Sequence, residues 1–175
     1  MNRRSLLKAG TALIGMTGFS RFLPRNGAAP AIATDLFAVT RTEAEWQALL
    51  TPDQFHILRE RGTERSGSSS LDHEYRPGLY RCAGCDLPLF TSETKFNSGT
   101  GWPSFYAPIE VAVDTSIDLA LILPRTEVHC HRCGGHLGHV FNDGPQPTGK
   151  RYCMNGLALK FVPGVVIQSN ADILS

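Results

Sequence analysis

Little in this sequence would hold it in a bilayer. Its N-terminal apolar run, residues 9–19, is about 11 residues long, whereas a helix needs roughly 20 to cross the hydrocarbon layer, which argues against a permanent span there. Acidic residues are missing from the first 33 positions, where Arg3, Arg4, Lys8, Arg21 and Arg25 stand unopposed. No internal repeat of solenoid length is visible, which sets aside repeat architectures. Cysteine is scarce: there are five, and none lies between Thr34 and Arg81.

A short apolar run among unopposed cations suits a targeting segment, with a disordered basic arm as the alternative. The stretch from Asn2 to Lys8 resembles a twin-arginine export signal, and Ala31-Ile32-Ala33 offers the small-x-small pattern for cleavage after Ala33. The expectation is an exported, periplasmic protein with no stable membrane insertion once residues 1–33 are removed. Their removal leaves 12 basic residues against 16 acidic, a net charge of about −4 in place of +1, which disfavours a nucleic-acid partner. With 42% hydrophobic and 19% charged residues, the remainder is expected to form one modest core.

Residues 34–65 read as a helical N-terminal arm: Thr34 to Val39 is a lead-in without decisive pattern, and the helical signals run from Thr42 to Gly62. Thr42-x-x-Glu45 and Thr51-Pro52-Asp53-Gln54 each read as a capping box, the second with proline at the first helical position, and Gly62 reads as a stop. The Gly/Ser-rich stretch from Ser66 to Ser70 reads as a loop leading into a body over 66–162. There the pattern predicts strands at Leu79–Arg81, Ile109–Val113, Leu119–Leu123, Glu127–His129 and Tyr152–Val162. Residues 163–175 form a weakly patterned tail.

Four cysteines fall into two Cys-x-x-Cys pairs, Cys82/Cys85 and Cys130/Cys133, separated by 44 residues. Two such knuckles supply a closed tetrahedral set of thiolates, which would hold one structural zinc ion and pin two distant parts of the chain together. Disulfides are the alternative in an oxidising compartment, although a chain that folds before export would acquire its metal first.

Cys153 is the remainder. If Tyr152–Val162 is one strand, Arg151, Cys153 and Asn155 share a face, and a guanidinium beside sulfur favours the nucleophilic thiolate. His136 and His139 lie upstream as candidate proton donors. Taken alone, a single cysteine is more often packing than chemistry, and a histidine pair more often structural.

Three blocks carry further: Ser98-Gly99-Thr100-Gly101-Trp102-Pro103-Ser104-Phe105, His136 to Pro145, and Gly149 to Asn155. Set around the paired cysteines, and joined by Glu45-Trp46 and Gly62-Thr63-Glu64, they resemble the B-type peptide methionine sulfoxide reductases from about Val39 to Val162. The resemblance implies a mainly β fold of two antiparallel sheets, tent-like and zinc-stabilised, with two or three short N-terminal helices. It also implies an enzyme that reduces methionine (R)-sulfoxide, free or in oxidised proteins.

On that resemblance Cys153 attacks the sulfoxide sulfur, and His139 and His136 bind and help protonate its oxygen. Asn155 joins that set, Arg151 and Asp143 hold charge and geometry, and Trp102 receives the methyl group, with Phe141 a further candidate for an apolar wall. Cys153 is left as a sulfenic acid, which another thiol must reduce. Many relatives carry a resolving cysteine where this chain has Thr100, so a one-cysteine cycle is expected, served by an external, thioredoxin-like or other thiol reductant. No organic cofactor is implied, and a monomer is expected. A zinc-bound binding module is the rival reading, but it leaves Arg-x-Cys-x-Asn, the histidines and the tryptophan block unexplained.

Overall fold

The computed structural model describes residues 37–120 and 123–164; the signal reading over 1–33 and most of the 163–175 tail lie outside the described residues. Helices α1 (Glu43–Leu49) and α2 (Pro52–Leu58) open the described chain, each on the capping box its sequence encodes: Thr42 with Glu45, and Thr51 with Gln54. They bury Trp46, Ile57 and Leu58. Gly62 is not the stop expected of it. Helix α2 ends at Leu58 with Arg59 as its cap, and Arg61 takes the left-handed conformation at φ 60°, while the Gly62 N–H closes back on the His56 carbonyl at 2.9 Å.

Nine strands follow among the described residues: β1 (Gly78–Cys82), β2 (Pro88–Thr91), β3 (Lys95–Phe96), β4 (Ser104–Phe105), β5 (Val113–Asp118), β6 (Arg125–Cys130), β7 (His136–Phe141), β8 (Arg151–Met154) and β9 (Leu159–Pro163). They form two antiparallel sheets, one of order β2-β1-β9 and one of order β3-β4-β8-β7-β6-β5. The mainly β, two-sheet architecture is therefore as expected. Tyr80, Phe90 and Phe105 are fully buried, with Tyr80 edge-on to Phe105 at 4.8 Å and Phe90 stacked on it at 4.3 Å.

Three strand expectations change. Tyr152–Val162 is not one strand: β8 stops at Met154, a 3₁₀ turn spans Gly156–Ala158, and β9 belongs to the other sheet. The apolar alternation continues through the turn because Leu157 and Leu159 pack inward there too. Ile109–Ala112 is a turn, closed by Ala112 N–H to the Ile109 carbonyl with Val111 at φ 57°, and the strand starts only at Val113. Leu119 and Ala120 lie beyond β5, where the Asp118 carboxylate accepts the Ala120 N–H at 2.9 Å and turns the chain; residues 121–122 fall outside the described residues. No helix among the described residues is long and apolar enough to cross a membrane.

Candidate active site

The two cysteine knuckles are built alike. In the first, Asp86 N–H bonds the Cys82 carbonyl and Cys82 N–H bonds the Leu87 carbonyl; in the second, Gly134 N–H bonds the Cys130 carbonyl and Cys130 N–H bonds the Gly135 carbonyl. Each turn needs a left-handed residue after its second cysteine, Asp86 at φ 62° and Gly134 at φ 66°. One knuckle leaves β1 in the smaller sheet and the other joins β6 to β7 in the larger, so the four sulfurs meet between parts of both sheets.

All four sulfurs lie within 4.8 Å of one another, with Cys82–Cys133 at 3.7 Å and Cys85–Cys130 at 3.5 Å. A tetrahedral ion with metal–sulfur bonds of about 2.3 Å needs sulfur–sulfur edges of about 3.8 Å, so the set fits zinc. Hydrogen bonds within the set push the Cys85 and Cys133 thiols down and the Cys82 and Cys130 thiols up, as expected of sulfurs that share protons at this spacing. All five cysteines are free of disulfides.

Cys153 lies on β8 of the larger sheet. Strand register lines up Ser104, Cys153, His139, Glu127 and Ser116 as direct cross-strand neighbours over β4, β8, β7, β6 and β5. Side chains in register on adjacent strands project to the same side, so these five form one row. A second row pairs Arg151 with Phe141 and Arg125 with Asp118. Gly138 lets β7 lie close to β8 here, since a Cβ at that position would overlap the Cys153 carbonyl oxygen.

A cleft of about 120 Å³ opens over this surface. Trp102 and Phe141 give it apolar walls, His139, Asn155 and Arg125 line it with polar groups, and Cys153, Gly138 and Thr63 complete it. The Thr100 hydroxyl lies 3.8 Å from the Cys153 sulfur and is itself bonded to Ser98 at 2.8 Å. Asn155 is not on the Cys153 strand face as expected, since the strand has ended, but it reaches the cleft from the following turn.

Each histidine is held by a carboxylate. His139 Nε2 lies 2.7 Å from Asp118, and His136 Nδ1 lies 2.7 Å from Glu127. An ionised carboxylate only accepts, so each of those ring nitrogens carries the proton. Asp118 also takes the Ala120 N–H and Arg125, and these bonds with His139 hold its carboxyl well below the usual range. Burial works against the charge of Glu127, yet hydrogen bonds from His136 on one oxygen and Ser116 on the other leave it lowered, with Arg61 paired to the same oxygen as Ser116.

His136 is 3% exposed and does not line the cleft; burial lowers its pKa, partly offset by Glu127. Its ring lies 5.4 Å from that of His139. Arg151 and Asp143 also stand outside the cleft lining. They form a two-pronged ion pair at 2.9 and 2.8 Å, with the guanidinium 4.4 Å over the Phe141 ring. Asp143, and to a lesser degree the Cys153 sulfur, raises the Arg151 pKa. Sequence reasoning missed Thr63, Gly138, Arg125, Asp118 and Glu127. The motif Gly62-Thr63-Glu64 is the only sequence signal for the first, and Gly138 falls within the His136 to Pro145 block.

A SelR-domain family profile matches residues 50–163. The chain is 56% identical over 120 residues to the chloroplastic peptide methionine sulfoxide reductase B1 of Arabidopsis thaliana, covering 68% of this chain and 59% of that protein. It is 54% identical over 125 residues to the peptide methionine sulfoxide reductase MsrB of Methanosarcina barkeri, covering 71% of this chain and 88% of the relative. The MsrB of Agrobacterium fabrum is 52% identical over 126 residues, 93% of its length. The chain thus spans under two thirds of the plant relative and most of the microbial ones. With its four-cysteine knuckle pair and its single cleft cysteine in the matched region, the chain belongs to the SelR-domain family, that of the B-type peptide methionine sulfoxide reductases, which are oxidoreductases.

Proposed function

We propose that this chain reduces methionine (R)-sulfoxide, in oxidised proteins or free, and so repairs oxidised methionine. The observation that carries this is Cys153 in a cleft lined both by apolar Trp102 and Phe141 and by polar His139, Asn155 and Arg125. A methyl sulfoxide needs that combination: an apolar seat for its methyl group and donors for its oxygen, which Asn155 and Arg125 carry, without which the sulfur is a poor electrophile. Cys153 attacks the sulfoxide sulfur while the donors take up negative charge on oxygen. In net terms the oxygen ends on the Cys153 sulfur as a sulfenic acid, and the substrate sulfur gains two electrons and becomes a thioether.

The second half of the cycle needs an external dithiol. One of its thiols attacks the sulfenic sulfur and releases water, and the other then breaks the mixed disulfide to restore Cys153. Thr100 stands 3.8 Å from Cys153, and its hydroxyl cannot form a disulfide. The four knuckle cysteines would hold a zinc ion, which with four thiolates has no open position and is structural.

Turnover of separated R and S epimers with dithiothreitol, by the wild type and Cys153→Ser, tests the reading. R-selective turnover lost in the variant supports it; zinc retained without thiol-dependent turnover would favour a binding module. Export by a twin-arginine pathway with cleavage after Ala33 belongs to the same reading, on the strength of Arg3-Arg4, the apolar run and Ala31-Ile32-Ala33. Replacing Arg3 and Arg4 by lysine should then leave the protein on the cytoplasmic side in cell fractionation; unchanged distribution would refute it.

A further inference from the structure

The cleft is assembled by strands of the larger sheet, yet its walls are fastened by a residue from the segment after α2. Glu64 is 7% exposed. Its two carboxylate oxygens accept from successive main-chain N–H groups of the turn that follows β8, Gly156 at 2.6 Å and Leu157 at 3.0 Å. Its own N–H donates to the Asn155 side-chain oxygen at 3.0 Å, and its carbonyl accepts from the Trp102 indole at 3.2 Å. Every polar group of one residue is thus committed, and each bond ends on a cleft wall or the turn beside it.

We infer that Glu64 is a positioning residue of the Cys153 site, setting the orientation of both the polar wall at Asn155 and the apolar wall at Trp102. This rests on the reductase reading for its activity readout.

The orientation follows from counting donors. The Asn155 side-chain oxygen is taken by Glu64, and one hydrogen of its amide goes to the Leu137 carbonyl at 3.1 Å. That fixes which way the amide faces and leaves its second N–H for the cleft, as a donor to an oxygen bound there. The indole of Trp102 is tethered by its only donor, so the ring edge that meets the substrate is set by where the Glu64 backbone lies.

A buried carboxylate is a costly fastener, since desolvation penalises its charge. Burial indeed raises the Glu64 pKa despite the two main-chain bonds. Among the described residues Glu64 forms no ion pair that would offset this. Two acceptor oxygens are what two adjacent N–H groups need, and glutamine, with one oxygen and one donor nitrogen, cannot serve both.

The test is Glu64→Gln in the zinc-loaded full chain. Four things are measured: kcat and KM on methyl and ethyl sulfoxide substrates, zinc content, thermal unfolding, and solvent exchange of the Trp102 indole N–H by NMR. The expected result is a kcat about tenfold or more below wild type. Narrowed discrimination between methyl and ethyl groups and faster indole exchange should accompany it, with zinc retained and unfolding cooperative. A variant within about twofold of wild type in kcat with unchanged indole exchange overturns the inference, as does a loss matched by loss of zinc. A wild type that turns over neither epimer instead sinks the reductase reading, while indole exchange still reports on Glu64.

Discussion

The knuckle cysteines and Cys153 are the same side chain put to opposite uses. Around the knuckles the sulfurs see chiefly one another, and Cys82, Cys130 and Cys133 are buried. Cys153 is partly exposed and sees a hydroxyl, an imidazole-bearing strand and a guanidinium. Four ligands at tetrahedral spacing exhaust their chemistry on a metal; one thiol facing a cleft has its chemistry to spare. Spacing along the chain identifies the first kind, whereas the second is defined by what other strands bring alongside.

The largest effect is expected at the knuckles. Cys130→Ser should release zinc and lower the unfolding midpoint by more than about 10 °C, since metal binding in such sets is folding free energy. Metal analysis with calorimetry checks this, and full zinc content in a stable variant would contradict the shared-site assignment. Cys153→Ser should do the reverse: turnover falls at least about a thousandfold, while zinc content and unfolding stay as in the wild type. If that variant also loses zinc, the two regions are not separate.

Thr100→Cys sharpens the contrast by giving Cys153 a partner. The Thr100 hydroxyl already stands 3.8 Å from the Cys153 sulfur, so turnover with stoichiometric sulfoxide should leave a disulfide in the variant and a trappable sulfenic acid in the wild type. Mass spectrometry distinguishes them.

The smallest effect concerns pH. Burial holds His136 below its ordinary value of about 6.5, so the stability of its neutral form is complete above about pH 6.5 and is lost as pH falls through the lowered value. Asp118, held low by Ala120, His139 and Arg125, adds a loss of the same sign beginning below about pH 4. The unfolding midpoint should therefore fall by a few degrees between pH 7 and pH 5, and more steeply below; a flat profile would show that these groups are not held as described.

The helices and the metal set were legible because their signals are local: a capping box occupies four residues and a Cys-x-x-Cys knuckle little more. Cys153 was legible through its neighbours Arg151 and Asn155 and the family blocks. The carboxylates were not. Asp118 and Glu127 come from strands β5 and β6, and their place beside His139 and His136 follows from register, which one sequence does not display. Short strands such as β3 and β4 were missed for the same reason, having two residues each and no periodicity to read. The break after Met154 was hidden because its turn is as apolar as a strand.

The row from Ser104 to Ser116 also dictates where this chain can change length. Side chains alternate between faces, so deleting one residue inside β7 would carry Val140 to the cleft side and turn His139 into the core. An added residue after Asp118 and before Arg125, between the end of β5 and the start of β6, leaves every pairing in the row untouched. Insertions and deletions among natural variants of this chain are therefore expected between those two strands and not within them, whatever the substituted residues are.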